Sequence, residues 1–173
     1  MKQTILFFFL FITTIPVFSQ NDVFNVARSG TVDDLKTIIK SNPDLINATN
    51  ADGYSPLILA CYKGNLPVAE FLIKNVKNIN YTTAMGTALM AATVKKQTQL
   101  VQLLLENKAN PNITDVNGTT ALIYASIFKS YDIAQLLVKY NGDNGHKDSR
   151  GNSAVDYAIL ADDDKLIQIL KTK

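Results

Sequence analysis

Few residues in this chain are of types that do chemistry. Asp162, Asp163 and Asp164 form its densest charge run, and three carboxylates can hold a hard cation. A calcium loop, however, alternates its oxygen ligands around a glycine and ends on a distal Glu, which this run does not do. The three aspartates stand before the last apolar-periodic stretch, where acidic groups favour the N-terminus of a helix. Cys61 is the one cysteine and His146 the one histidine. One cysteine makes no intrachain disulfide, and this pair, far apart, makes no ordinary zinc site. Cys61 is expected to pack as a small hydrophobe. His146, between Asp143 and Asp148, is expected to be a solvated loop residue. No serine or cysteine has a recognisable base and orienting acid, and there is no glycine-rich phosphate loop. The sequence therefore predicts no catalytic residue, no cofactor and no metal.

Four N-x-[ST] sequons occur, at Asn47, Asn80, Asn112 and Asn117. The first three recur at spacings of 33 and 32, which suits a structural role in a repeated loop better than sugar attachment. The net charge of +2, with 18% charged residues evenly spread, gives no electrostatic footprint for nucleic acid.

The first twenty residues differ in composition from the rest. Lys2 is followed by an uncharged, mostly apolar run from Ile5 to Phe18, and Val17 and Ser19 supply small residues before Gln20. The run is short for a membrane anchor, which needs roughly 20 apolar residues. Residues 1–19 read as a cleaved signal peptide, with an uncleaved N-terminal anchor as the alternative. The mature protein, residues 20–173, is then expected in the periplasm or secreted, with no membrane contact after cleavage. The absence of cysteine pairs and the Lys-, Asn- and Ile-rich composition point to a bacterial exported protein, with the Gram-negative periplasm favoured.

Those residues are positioned by a repeat. Ser55, Thr87, Thr120 and Ser153 are spaced 32, 33 and 33 apart, each followed by Pro56-Leu57, Ala88-Leu89, Ala121-Leu122 or Ala154-Val155. Further columns keep step: Ala60, Ala92, Ala125 and Ala158; Val68, Leu100, Ile133 and Leu166; Leu72, Leu104, Leu137 and Leu170. A hydroxyl before an apolar run accepts a bond from an orphan amide of the first helical turn. Small alanines let helices approach closely, and the Leu, Val and Ile columns make the buried stripe of a second helix. Gly53, Gly118 and Gly151 precede the cap by two residues, where a tight turn needs positive φ. Each unit reads as turn, short helix, turn, longer helix, loop.

This pattern resembles the ankyrin repeat, whose period is 33 and whose signature is T-P-L-H-x-A. The nearest copies are Ser55-Pro56-Leu57-Ile58-Leu59-Ala60, Thr87-Ala88-Leu89-Met90-Ala91-Ala92 and Thr120-Ala121-Leu122-Ile123-Tyr124-Ala125. The resemblance implies an all-α solenoid of about five units, near 21–49, 50–82, 83–114, 115–147 and 148–173, with atypical end units. Ile58, Met90, Ile123 and Asp156 replace the signature histidine, so weaker polar locking between units is expected. The third unit lacks one turn residue and has Lys96 in place of the glycine after its first helix, which marks it for local irregularity.

The resemblance also implies a binding surface, because ankyrin arrays use a concave face of turn tips and first helices. Carried onto this chain, it places Tyr54, Tyr62, Lys63, Val94, Lys95, Ile127, Phe128 and Leu160 there. Tyr62, Val94, Ile127, Phe128 and Leu160 are expected to form one stripe suited to an interface. The function implied is docking of another folded protein, as an accessory factor for an enzyme such as a catalase or as a neutralising partner of a toxin. The protein alone is expected to be monomeric. The competing readings are a self-associating structural array and, with least support, an enzyme.

Overall fold

In the computed structural model, which describes residues 20–171, the hydroxyl column folds as its chemistry dictates; the expected leader lies outside the described residues. Ser55, Thr87, Thr120 and Ser153 each accept from the amide three residues on, at 3.2–3.3 Å. They open the helices α3 (Pro56–Lys63), α5 (Ala88–Val94), α7 (Ala121–Ile127) and α9 (Ala154–Leu160). Each is followed by a partner helix: α4 (Leu66–Asn75), α6 (Thr98–Glu106), α8 (Tyr131–Lys139) and α10 (Asp164–Lys171). Before them α1 (Gln20–Ser29) and α2 (Val32–Ser41) make the first unit, followed by a 3-10 turn, Pro43–Asn47. Thr31 caps α2 in a capping box with Asp34, so this unit carries its cap hydroxyl on the second helix.

The odd-numbered helices stack α1–α3–α5–α7–α9 and the even-numbered ones α2–α4–α6–α8–α10, giving two layers of an all-α solenoid. The four alanines of the small column are wholly buried, where the first helices pack side by side. Leu72, Leu104, Leu137 and Leu170 are equally buried at 0% exposure. Burying each such leucine contributes about 1.5–3 kcal/mol. Cys61 is also fully buried, and burial pushes its thiol up to about 12, so it packs and stays protonated.

The third unit is irregular, and the cause is its missing turn residue. Strands β1 (Thr82–Thr83) and β2 (Gly86–Thr87) pair antiparallel with Thr83 opposite Gly86, leaving Ala84-Met85 as a two-residue turn. Lys96 contributes nothing to that irregularity. It adopts the left-handed conformation of Gly64, φ 55° against 73°, as do Lys129 and Asp162 in the next two units. The helix end is fixed instead by the alanine column. The carbonyls of Ala60, Ala92, Ala125 and Ala158 accept from the amides of Asn65, Gln97, Ser130 and Asp163 at 2.8–3.0 Å, closing each first helix.

Polar ties between units survive the loss of the signature histidine, by other means. The side-chain oxygens of Asn47, Asn80 and Asn112 accept from the amides of Lys77, Asn110 and Asp143, each at 2.8 Å and each one unit further on. The first three sequon asparagines therefore form a ladder that fixes the spacing of the loops. Tyr81 donates to the carbonyl of Gly53, and His146, in the equivalent position two units later, donates through Nε2 to Gly118 at 2.9 Å. His146 is thus a half-buried tie to the turn that opens its own unit rather than a solvated loop residue, because the loop folds back against that turn.

Candidate partner-binding groove

The first helices and the turns before them form one face, and each turn is built on a single side-chain acceptor. Asn50, Asp115 and Asp148 each accept two backbone amides of their own turn through one oxygen, at 2.8–3.1 Å. In the shortened third turn Thr83 takes this position and accepts from Met85. Such local bonds replace secondary structure where the chain must reverse. In the two carboxylate turns a second oxygen remains, and a tyrosine takes it. Tyr124 donates to Asp115 and Tyr157 to Asp148, both at 2.6 Å.

These pairs set the electrostatics of the C-terminal half. Burial and the Asp115 bond push Tyr124 up to about 12. Burial, followed by the Asp148 bond, raises Tyr157. Burial acts to raise Asp148, but the Tyr157 hydroxyl, the Asn152 and Arg150 amides and the Arg150 guanidinium outweigh it, holding the carboxyl below the usual range. Arg150 donates to Asp148 at 3.2 Å and lies 5.4 Å from the centre of the Tyr157 ring. The aspartate run resolves in the same way. Asp163 accepts from the amide of Leu166 at the start of α10 and from the Tyr131 hydroxyl, so it is a helix cap. Among the described residues, no group of three or more His, Cys, Asp and Glu side chains is placed to hold a metal ion.

In the N-terminal half, Tyr54, Tyr62, Lys63 and Val94 line one cleft of about 500 Å³ between α3 and α5. Lys95 joins them by standing over the Tyr62 ring at 4.7 Å. Its walls also include Arg28, Met85, Met90, Ala91 and Tyr124. Ile127 lines a separate, more polar cleft with Asn117, Thr119, Ser149 and Arg150, and Tyr124 forms the wall between the two. The expected single stripe is therefore divided. Phe128 stands one register position after Ile127, in the column of Lys63 and Lys95, and stacks on Tyr124 with ring centres 6.3 Å apart. Leu160 is exposed at 73% and lines neither cleft.

Sequence reasoning missed Arg28, Met85, Ala91 and the two Asp–Tyr pairs. A signal for the pairs was present: Asp115 and Asp148 are 33 apart, and so are Tyr124 and Tyr157. The equivalent first-helix positions in the second and third units hold Leu59 and Ala91.

Known proteins agree with this architecture. A model of ankyrin repeats in three copies matches residues 23–115 and again 94–173. The chain belongs to the ankyrin repeat family. Ankyrin repeats are protein–protein interaction modules and typically non-catalytic. The chain is 32% identical over 102 residues to the rat Ankyrin repeat and SAM domain-containing protein 6, covering 58% of this chain and 12% of that protein. It is 39% identical over 93 residues to Putative ankyrin repeat protein YahD of Escherichia coli K12, covering 50% of this chain and 46% of the relative. A fowlpox virus ankyrin repeat protein is 33% identical over 53% of this chain and 21% of its own length. The chain thus spans less than half of each of these ankyrin proteins, and the likeness is one of repeats.

Proposed function

We propose that this ankyrin protein is an exported, non-catalytic binding module of the bacterial cell envelope that docks a folded partner protein on its concave face. The observation that carries the reading is that, among the described residues, the exposed large apolar side chains, Tyr62, Met85, Val116, Ile127, Phe128, Ile159 and Leu160, all stand on the first helices, at their ends or in the turns before them. Aromatic side chains left in water at helix ends are the usual anchors of an interface. An accessory factor for an enzyme and a toxin-neutralising partner both fit this surface.

The test separates binding from folding. Truncating Tyr62 and Phe128 together to Ala removes anchors worth about 2 kcal/mol or more each in binding. The fold loses less, chiefly the Phe128–Tyr124 stack, which is of the kind that contributes about 0.5–1.5 kcal/mol. The double variant should keep its helical circular dichroism and nearly its melting temperature, yet fail to retain the partner captured by the native protein from an envelope extract. Native-level capture by the variant would remove the concave face as the binding site. Export is read separately by mass spectrometry: the envelope protein should begin at Gln20, and an intact Met1 end in membranes would support an anchor instead.

A further inference from the structure

We propose that the cleft between α3 and α5 receives one bulky apolar side chain from an acidic, extended segment of the partner protein. This rests on the concave-face reading and narrows it to one site and one chemistry. The cleft exists because of one register position. Along the column Leu59, Ala91, Tyr124, Tyr157, the last two carry phenols that turn back onto their own aspartates, whereas Ala91 ends at Cβ and leaves the groove open. The space, about 500 Å³, is of the size that buries a ligand group. Its walls are chiefly apolar, with Met90 buried beneath and Tyr62 and Met85 exposed at 44% and 64% on the rim. Methionine and tyrosine at a rim repack around an incoming side chain at low entropic cost.

Charge selects the segment that carries the anchor. The charged residues lining the cleft, Arg28 and Lys63, are both cations, and Lys95 stands beside them over Tyr62. Among the described residues, none of the three has a carboxylate within ion-pair distance. Two cations of the C-terminal half are by contrast ion-paired, Lys129 with Asp163 and Arg150 with Asp148. Three cations without a carboxylate partner around an apolar cleft complement carboxylates flanking an apolar anchor.

The experiment uses the mature protein and fluorescein-labelled short peptides, read by fluorescence anisotropy. One carries a central Phe flanked by Asp and Glu, a second has Ala in place of the Phe, and a third has the same Phe flanked by Lys. The acidic Phe peptide should bind most tightly, with the Ala and Lys versions each weaker by about tenfold or more. Its affinity should fall as salt is raised. Ala91→Tyr, which fills the cleft as the later units do, should abolish binding with an unchanged melting curve. The pair Lys63→Glu/Lys95→Glu should reverse the charge preference without touching the core, and so carries the test if Ala91→Tyr misfolds. Equal binding of the acidic and basic peptides, native-level binding by folded Ala91→Tyr, or displacement of the peptide only by a free fatty acid overturns the proposal. The two readings fail differently. If capture of the native partner depends on Phe128 but survives Ala91→Tyr, the concave face stands and this cleft falls. If capture survives both changes, the concave-face reading falls with it.

Discussion

The turns of the second and fifth units share one backbone design and differ in what the acceptor does next. Asn50 and Asp148 each bond two amides of their own turn, so each suffices to reverse the chain. Asp148 has a charge and a further oxygen to place, and the fold places them: on Tyr157, on Arg150, and in a side chain only 1% exposed. The turn carboxylate of the C-terminal half is therefore satisfied by its own neighbours. The N-terminal half keeps Arg28, Lys63 and Lys95 around an apolar space with no carboxylate at ion-pair distance among the described residues. A repeat can thus hold one backbone and vary, unit by unit, whether its face is internally satisfied or left for a partner.

The sharpest way to break this comparison is to remove the two acceptors. Asp148→Ala removes a buried carboxylate and leaves part-buried donors without their charged partner, and should cost about 2–3 kcal/mol. Asn50→Ala, which removes only neutral bonds at an exposed turn, should cost about 1 kcal/mol. Urea unfolding of the two variants measures both. Equal losses would mean that the Asp148 network adds nothing beyond the turn, and that the halves differ only in appearance.

Alkaline pH gives a smaller effect of defined sign. Tyr124 is pushed from 10.0 up to about 12, so the folded state holds its proton more tightly than the unfolded chain does. The stability this contributes is fully present below pH 10 and is lost as pH rises from there towards 12. Tyr124→Phe should lose stability at neutral pH and flatten this alkaline limb of a melting-temperature profile. Asp148 and Asp163 act at the other end. Their carboxyls are held below 3.8, so the stability they contribute is present above that pH and is lost as pH falls below it. A variant profile as steep as the native one above pH 10 would show that Tyr124 is not the group responsible.

Much of this was legible in the sequence because it is local or periodic. The cap hydroxyls needed only a hydroxyl before an apolar run, and all four cap as read. The alanine and leucine columns needed only a fixed period, and they are buried throughout. The irregular third unit was marked by one missing residue, although the structure traces it to the hairpin and clears Lys96. His146 was misread because its partner, the Gly118 carbonyl, lies 28 positions away and carries no sequence signal. The first three sequon asparagines were read as structural, but their bonds run between units, where only stacking brings the donors within reach.

The sequence by itself determined the period, the caps, the buried columns and hence the family and its two-layer stack, since each follows from residue type at fixed spacing. The tertiary structure alone decided the surface. Whether Ala91 leaves a cleft between α3 and α5 depends on neighbours that the stacking of units brings together, and whether a tyrosine bonds the aspartate nine residues back or Phe128 stacks on Tyr124 depends on side-chain directions that the folded unit sets. A face is made by side chains from different repeats, and their directions are fixed only once the solenoid has set the distance between them.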